Sequence, residues 1–139
     1  MERLARKFET AKELVPHPVL RAAKKPAKAG VLYFGSTAPS MSEALDALEA
    51  QGIALDAMRI RAFPFHRSIE DFIAAHEQVF IVEQNRDGQL RGMLLNECNL
   101  DAAQLIPILH YDGTPITARF ITKVIAERMS MFNVVPLRA

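Results

Sequence analysis

The sequence holds a single cysteine, Cys98, so it can close no internal disulfide and build no thiolate metal cluster from its own residues. A lone thiol of this kind reads as a small buried hydrophobe. Long apolar runs are missing as well. The longest, such as Val79–Val82 and Leu105–Leu109, fall far short of the roughly 20 residues a membrane-spanning helix needs, so no membrane partner is expected. The opening MERLARKFETAKELV is charged throughout, without the apolar core or small-residue cleavage site of a secretory signal, and the expected location is cytoplasmic. Nucleotide fingerprints of the GxGxxG or GxxxxGK[ST] type do not occur. His17, His66 and His76 share no metal-ligand spacing with one another or with Cys98, so no metal site is predicted. No Ser/His/Asp or Cys/His arrangement is legible, and the paired acids Glu70 and Asp71 are explained by the dipole at the start of a helix.

What remains is a chain of 139 residues, half of them apolar and 24% charged, enough for one sizeable core and too short for two ordinary domains. Charge is spread unevenly. Residues 1–28 hold eight Lys/Arg against three Glu, and the rest hold nine against thirteen acids, so a basic lead precedes an acidic body. The lead has its positives spaced along a helix and then paired at Lys24 and Lys25, without interleaved aromatics or a base-reading motif. That is the composition of a solvated linker, and no nucleic-acid partner is expected.

Residues 2–14 predict a helix with Leu4, Phe8, Ala11 and Val15 on one side, ended by Pro16 and Pro18. Residues 16–29 have three prolines and four basic residues, linker composition interrupted by an extended piece at Val19 and Leu20. From Gly30 the texture changes to short apolar runs alternating with amphipathic stretches. Val31–Phe34 predicts a strand, and Ser40 with Glu43 a capping box for a helix burying Met41, Ala44, Leu45 and Leu48 and stopped by Gly52. Met58 to Phe63 predicts a second strand, stopped by Pro64, followed by a short helix opened by Ser68 and Asp71 that buries Ile69, Phe72 and Ile73. Val79–Val82 is the third run; Asp87 is the expected cap of a helix carrying Leu90, Met93 and Leu94; Leu105–Leu109 is the fourth. Thr114 and Pro115 are expected to open a last helix lined by Ile121, Val124, Ile125 and Met129, with Pro136 beyond its end. Four strand-then-helix units with strands apolar on both faces predict an α/β fold, a mostly parallel sheet covered by helices on both sides.

Ligands of such sheets gather beyond the carboxyl ends of the strands, which directs attention to residues 35–39, 64–67, 83–87 and 110–114. The first loop, GSTAPS, precedes a helix and reads either as an anion cradle or as a plain turn. Glu83, Gln84, Asn85, Arg86 and Asp87 form the densest polar loop, closed by Gly88. Glu83 follows a buried strand, where a carboxylate is costly unless paired, so a partner is implied. Three roles stand open for it: a general base, a contact across a subunit interface, or a charge neutralised locally by Arg86 or Arg91. His110, Tyr111 and Asp112, with Gly113 and Thr114, read as an acid–base pair or, more simply, as turn chemistry after a strand.

Four stretches carry a family resemblance: GVLYFGSTAPSMSEALDALEAQGI, MRIRAFPF, VFIVEQNRDGQLRGML and LIPILHYDGTPITARFI, together spanning residues 30–121. They resemble the alpha chain of bacterial 2-oxoacid:ferredoxin oxidoreductases, especially the 2-oxoglutarate type. The opening KFETAKELVP is similar to the connector that follows the pyrimidine-binding domain of that chain. The resemblance implies a transketolase C-terminal-like domain at residues 30–139: a three-layer α/β/α sandwich with a mostly parallel five-stranded sheet and one antiparallel strand. Residues 1–29 would be connector helix, linker and, at Val19–Leu20, that antiparallel strand. In the family, thiamine diphosphate lies between a pyrimidine-binding domain of the alpha chain and a diphosphate-binding domain of the beta chain. The Gly-Asp-Gly…Asn motif for diphosphate and magnesium is absent from this sequence, and one cysteine cannot hold an iron–sulfur cluster.

The resemblance therefore implies a non-catalytic assembly domain, with no catalytic, cofactor or metal residue in this chain. Thiamine diphosphate, magnesium and the iron–sulfur cluster belong to the parent complex, which decarboxylates a 2-oxoacid oxidatively to an acyl-CoA and reduces ferredoxin. The implied partners are the remaining alpha-chain domains and the beta subunit, with ferredoxin and coenzyme A met only through the complex. The expected interface is Phe8 together with Glu83, Gln84, Asn85, Arg86, Asp87 and Gly88, and with His110, Tyr111, Asp112, Gly113 and Thr114; the Phe8 stripe could also pair two copies into a homo-oligomer. A rival reading is an independent flavodoxin-like module that binds a small molecule or nucleotide through residues 35–40.

Overall fold

A computed structural model describes residues 2–134. In chain order the elements are α1 (Glu2–Leu14), β1 (Val19–Arg21), β2 (Ala29–Phe34), α2 (Ala38–Ala50), β3 (Asp56–Ile60), α3 (Ser68–Ala74), β4 (Gln78–Glu83), α4 (Gln89–Glu97), β5 (Leu105–Leu109) and α5 (Ala118–Val134), with a single 3₁₀ turn at Gly35–Thr37. The five strands form one sheet in the order β1-β3-β2-β4-β5. Strands β2 to β5 pair in parallel, and β1 runs antiparallel to β3, with Leu20 opposite Met58.

Alternation along the central strands sorts the core into two layers. Val31, Tyr33, Phe80 and Val82 face α2 and α5, where they meet Met41, Leu48, Ile121 and Ile125. Leu32, Val79 and Ile81 face α3 and α4, where they meet Ile69, Ile73, Leu90 and Leu94. The result is the expected three-layer α/β/α sandwich. On the outer strand β5, Pro107 is exposed, and its missing N–H discourages pairing of another strand along that edge.

Helix starts differ in detail from the sequence expectations, and the reason differs from helix to helix. Helix α2 begins at Ala38, before Ser40, whose hydroxyl donates to the Ile116 carbonyl at 2.8 Å rather than capping. Helix α3 starts at Ser68 without a side-chain cap from it; the Ser68 N–H donates to His66 Nδ1 at 3.2 Å. Asp87 does not cap α4, because its carboxylate takes the Arg86 guanidinium at 2.7 Å. Helix α5 opens at Ala118, beyond Thr114 and Pro115, with the Thr117 hydroxyl accepting the Phe120 N–H at 3.2 Å. Met93 lies 39% exposed on α4 while Leu90 and Leu94 are buried, so that helix buries a narrower stripe than its apolar residues suggest. Strand β3 ends at Ile60, short of Phe63. Pro136 lies outside the described residues.

Candidate functional site at the carboxyl ends of the strands

The strand order reverses between β2 and β4, so the crevice where a sheet of this kind receives ligands lies above Phe34 and Glu83. Glu83 shares the parity of Val79 and Ile81, which turns its side chain towards the α4 layer and buries it completely. There its carboxylate accepts the backbone N–H of Leu90 at 2.7 Å, the N–H of Arg91 at 3.0 Å and the Asn85 side-chain amide at 2.8 Å. Those two N–H groups belong to the first turn of α4, which has no intrahelical acceptor for them and carries the positive end of the helix dipole. The implied partner of Glu83 is thus the helix itself, and neither Arg86 nor Arg91 neutralises it. The Arg91 guanidinium donates elsewhere, to the Leu105 and Ala102 carbonyls at 2.8 Å each.

The turn that makes this contact feasible needs Gly88, which precedes α4 at φ +62°, the left-handed region that costs other residues most. Asn85 completes the cap by accepting the Gln89 N–H at 3.2 Å.

Gln84, of opposite parity, leans across the crevice. Its amide nitrogen donates to the Ser36 and Thr37 hydroxyls at 3.1 Å each, and its amide oxygen accepts the Ile116 N–H at 3.2 Å. One side chain therefore joins the loops that follow β2, β4 and β5. The Ser36 and Thr37 hydroxyls of the GSTAPS turn are engaged by this amide.

On β5, the His110 N–H donates to the Glu83 carbonyl at 2.9 Å, extending the parallel ladder by one residue. The buried His110 ring lies 4.9 Å edge-on to Phe120 of α5 and 3.5 Å from the Asp112 carboxylate, while its Nδ1 has no hydrogen-bond partner. Asp112 is tied into its own turn: it accepts the Thr114 N–H at 2.8 Å and the Thr114 hydroxyl at 2.7 Å, which hold its carboxyl below the usual carboxylate range. Tyr111 is 63% exposed, and Arg86, Asp87, Gly113 and Thr114 also face solvent. Glu83 to Gly88 and His110 to Thr114 are therefore neighbours across the β4 and β5 ends. Phe8 has a different neighbour, packing on α1 with its ring 6.0 Å from that of Phe63.

One constellation escaped the sequence reading. Asp56 at the start of β3 and His76 after α3 meet at 3.0 Å; His76 Nδ1 also lies 2.7 Å from the Phe72 carbonyl, and Asp56 accepts the Ala23 N–H at 2.7 Å. Both imidazole nitrogens face acceptors, and through Asp56, which also holds the Ala23 N–H, the ring ties the linker after β1 to the end of α3. No spacing signal joins residues this far apart in sequence. Among the described residues no group of three or more His, Cys, Asp or Glu side chains could hold a metal ion. No described helix is long and apolar enough to cross a membrane.

Comparison with known proteins gives the frame for these contacts. No protein-family model matches the chain. Over 93 residues, 64% of this chain, it is 32% identical to the alpha subunit of 2-oxoacid:ferredoxin oxidoreductase 2 of Aeropyrum pernix, and it spans only 14% of that subunit. Its fold matches part of the 2-oxoglutarate:ferredoxin oxidoreductase of Magnetococcus marinus, solved with 2-oxoglutarate, coenzyme A and succinyl-CoA bound. That match has a TM-score of 0.76 at 24% identity, over 87% of this chain and 21% of the other. The alpha chain of a probable 2-oxoacid ferredoxin oxidoreductase from Thermoplasma acidophilum matches with a TM-score of 0.54 at 23% identity, over 82% of this chain and 97% of that one. A split-gene transketolase, an inactive beta4 tetramer, matches with a TM-score of 0.60 at 17% identity, over 81% of this chain and 42% of its own. By sequence the chain is similar to part of a 2-oxoacid:ferredoxin oxidoreductase alpha subunit, and it shares its α/β fold with solved 2-oxoacid:ferredoxin oxidoreductase and transketolase chains.

Proposed function

We propose that this chain is a structural and assembly domain of a thiamine-diphosphate-dependent 2-oxoacid:ferredoxin oxidoreductase alpha subunit, of the 2-oxoglutarate type, with chemistry carried by other domains. Residues 30–139 form the domain proper and residues 1–29 the connector. The observation that carries this reading is the bracing of the crevice by Gln84, whose amide is hydrogen-bonded to Ser36, Thr37 and Ile116. With Glu83 committed to α4, the polar groups that could serve a reaction stabilise the loops instead. Braced loops offer a fixed outer surface, and Arg86, Asp87 and Tyr111 on it are exposed and suited to docking other alpha-chain domains and the beta subunit. Thiamine diphosphate, magnesium and the iron–sulfur cluster are assigned to those parts, as are ferredoxin and coenzyme A, and the complex to the cytoplasm.

The test has two arms. The chain alone, assayed with thiamine diphosphate, magnesium, coenzyme A, 2-oxoglutarate and a viologen acceptor, is expected to give no turnover above a no-protein control. Coexpressed with the pyrimidine-binding and diphosphate-binding domains of a 2-oxoacid:ferredoxin oxidoreductase, it is expected to copurify, and the pair Arg86→Glu and Tyr111→Ala is expected to weaken that association. Turnover by the chain alone, or copurification indifferent to both substitutions, overturns the proposal.

A further inference from the structure

At the opposite end of the sheet, where β1 runs off the amino end of β3, a cavity of about 190 Å³ opens between the linker at residues 21–25 and the turn joining α2 to β3. Its floor is apolar, made by Leu45 of α2 with Ile53, Ala54 and Leu55. Its rim is basic, with Arg21, Lys24 and Lys25 against Glu49. We propose that this cavity binds a small organic carboxylate with an apolar body, a ligand unrelated to the assembly role of the other end.

Three observations carry the proposal. The first is that the linker wall is pinned rather than loose. Arg21 is paired with Asp46, Lys24 reaches Glu49 at 3.2 Å, and the Ala23 N–H is held by Asp56 at 2.7 Å, so the cavity exists before any ligand arrives. The second is charge. Asp46 and Glu49 of α2 are each taken by one base, whereas Lys25 forms no ion pair among the described residues and leaves one positive charge at the mouth. The third is size. Pockets for drug-sized ligands run to roughly 300–1,000 Å³, so this one takes a fragment: an apolar tail on Leu45 and Leu55 and one anionic head at Lys25.

The experiment is a ¹⁵N-resolved NMR titration of the full chain with sodium hexanoate, with hexanamide and sodium acetate as comparison probes. Saturable shifts are expected at residues 22–25 and 52–55 with hexanoate. Hexanamide lacks the charge and acetate the tail, so both are expected to bind more weakly. Lys25→Gln is expected to weaken hexanoate binding roughly threefold to fivefold, the range of one exposed ion pair, and Lys25→Glu to weaken it further. Lys25 is exposed, so these variants keep the fold. Ala54→Phe, which fills the floor, is expected to abolish the shifts. Equal affinity for hexanamide, shifts confined to the basic α1, no saturation, or indifference to both Lys25 variants overturns the proposal.

Discussion

The Glu83 carboxylate accepts the Leu90 backbone N–H at 2.7 Å, so a residue at the end of β4 caps the helix that follows it. A buried carboxylate is stabilised here by three donors, two of them at the positive end of a helix dipole. Glu83→Gln keeps the shape and loses the charge, with an expected cost of about 1–2 kcal/mol. Glu83→Ala leaves the donors buried without acceptors and is expected to cost about 3 kcal/mol or more. Urea unfolding followed by circular dichroism ranks the two; a Glu83→Ala variant as stable as the parent chain would contradict the cap.

Gly30 stands where β2 passes α3, and a Cβ there would lie 2.7 Å from two ring carbons of Phe72 and 3.2 Å from His76 Nδ1. Phe72 cannot retreat without disturbing the layer it packs in, so Gly30→Ala is expected to destabilise by about 2 kcal/mol. Because the same clash displaces His76 from Asp56, amide exchange at Ala23 should accelerate with it. Global destabilisation with Ala23 still protected would show that the His76–Asp56 pair does not hold the linker.

Cys98 is buried below α4, and its thiol is pushed up from the ordinary 9.0 to about 11, by burial first and by the Glu70 carboxylate second. The folded state therefore disfavours the thiolate. Its contribution to stability is present in full below the unfolded thiol's value near 9 and is lost as pH rises towards about 11. At pH 8 the native thiol is expected to react with a disulfide reagent about a hundredfold more slowly than the same thiol in urea. Equal rates would place Cys98 in a different environment.

Phe8 is 45% exposed although its ring touches Phe63, and Leu4 beside it on α1 is 65% exposed. This partly covered stripe is expected to draw two copies of the isolated chain together at high concentration. Phe8→Asp should reduce that association and leave the core from Gly30 onward folded, since Phe8 lies outside both core clusters. Light scattering over a concentration series reads the outcome; a wild type that remains monomeric throughout removes the case for a homo-oligomer.

Much of the architecture was legible in the residues. The runs at Val31–Phe34, Val79–Val82 and Leu105–Leu109 are strands because apolar side chains in both parities can be buried only between two helix layers. The spacing of Met41, Ala44, Leu45 and Leu48 defines the buried face of α2 for the same local reason. The cost of burying Glu83 also announced that a partner must exist.

The identity of that partner was decided by the tertiary structure. Glu83 meets Leu90 and Arg91 only because β4, the Gly88 turn and α4 fold back on one another, and a nearby arginine in sequence has no claim on it once its guanidinium finds carbonyls elsewhere. The caps shifted likewise: Ser40 and Asp87 have side chains able to cap, yet Ile116 and Arg86 offered them other partners. Periodicity and burial are properties of a short segment and are written in the sequence. Which donor reaches which acceptor depends on the distance between segments far apart in the chain, and for Gln84 with Ser36, or Asp56 with His76, that distance is set only when the sheet assembles.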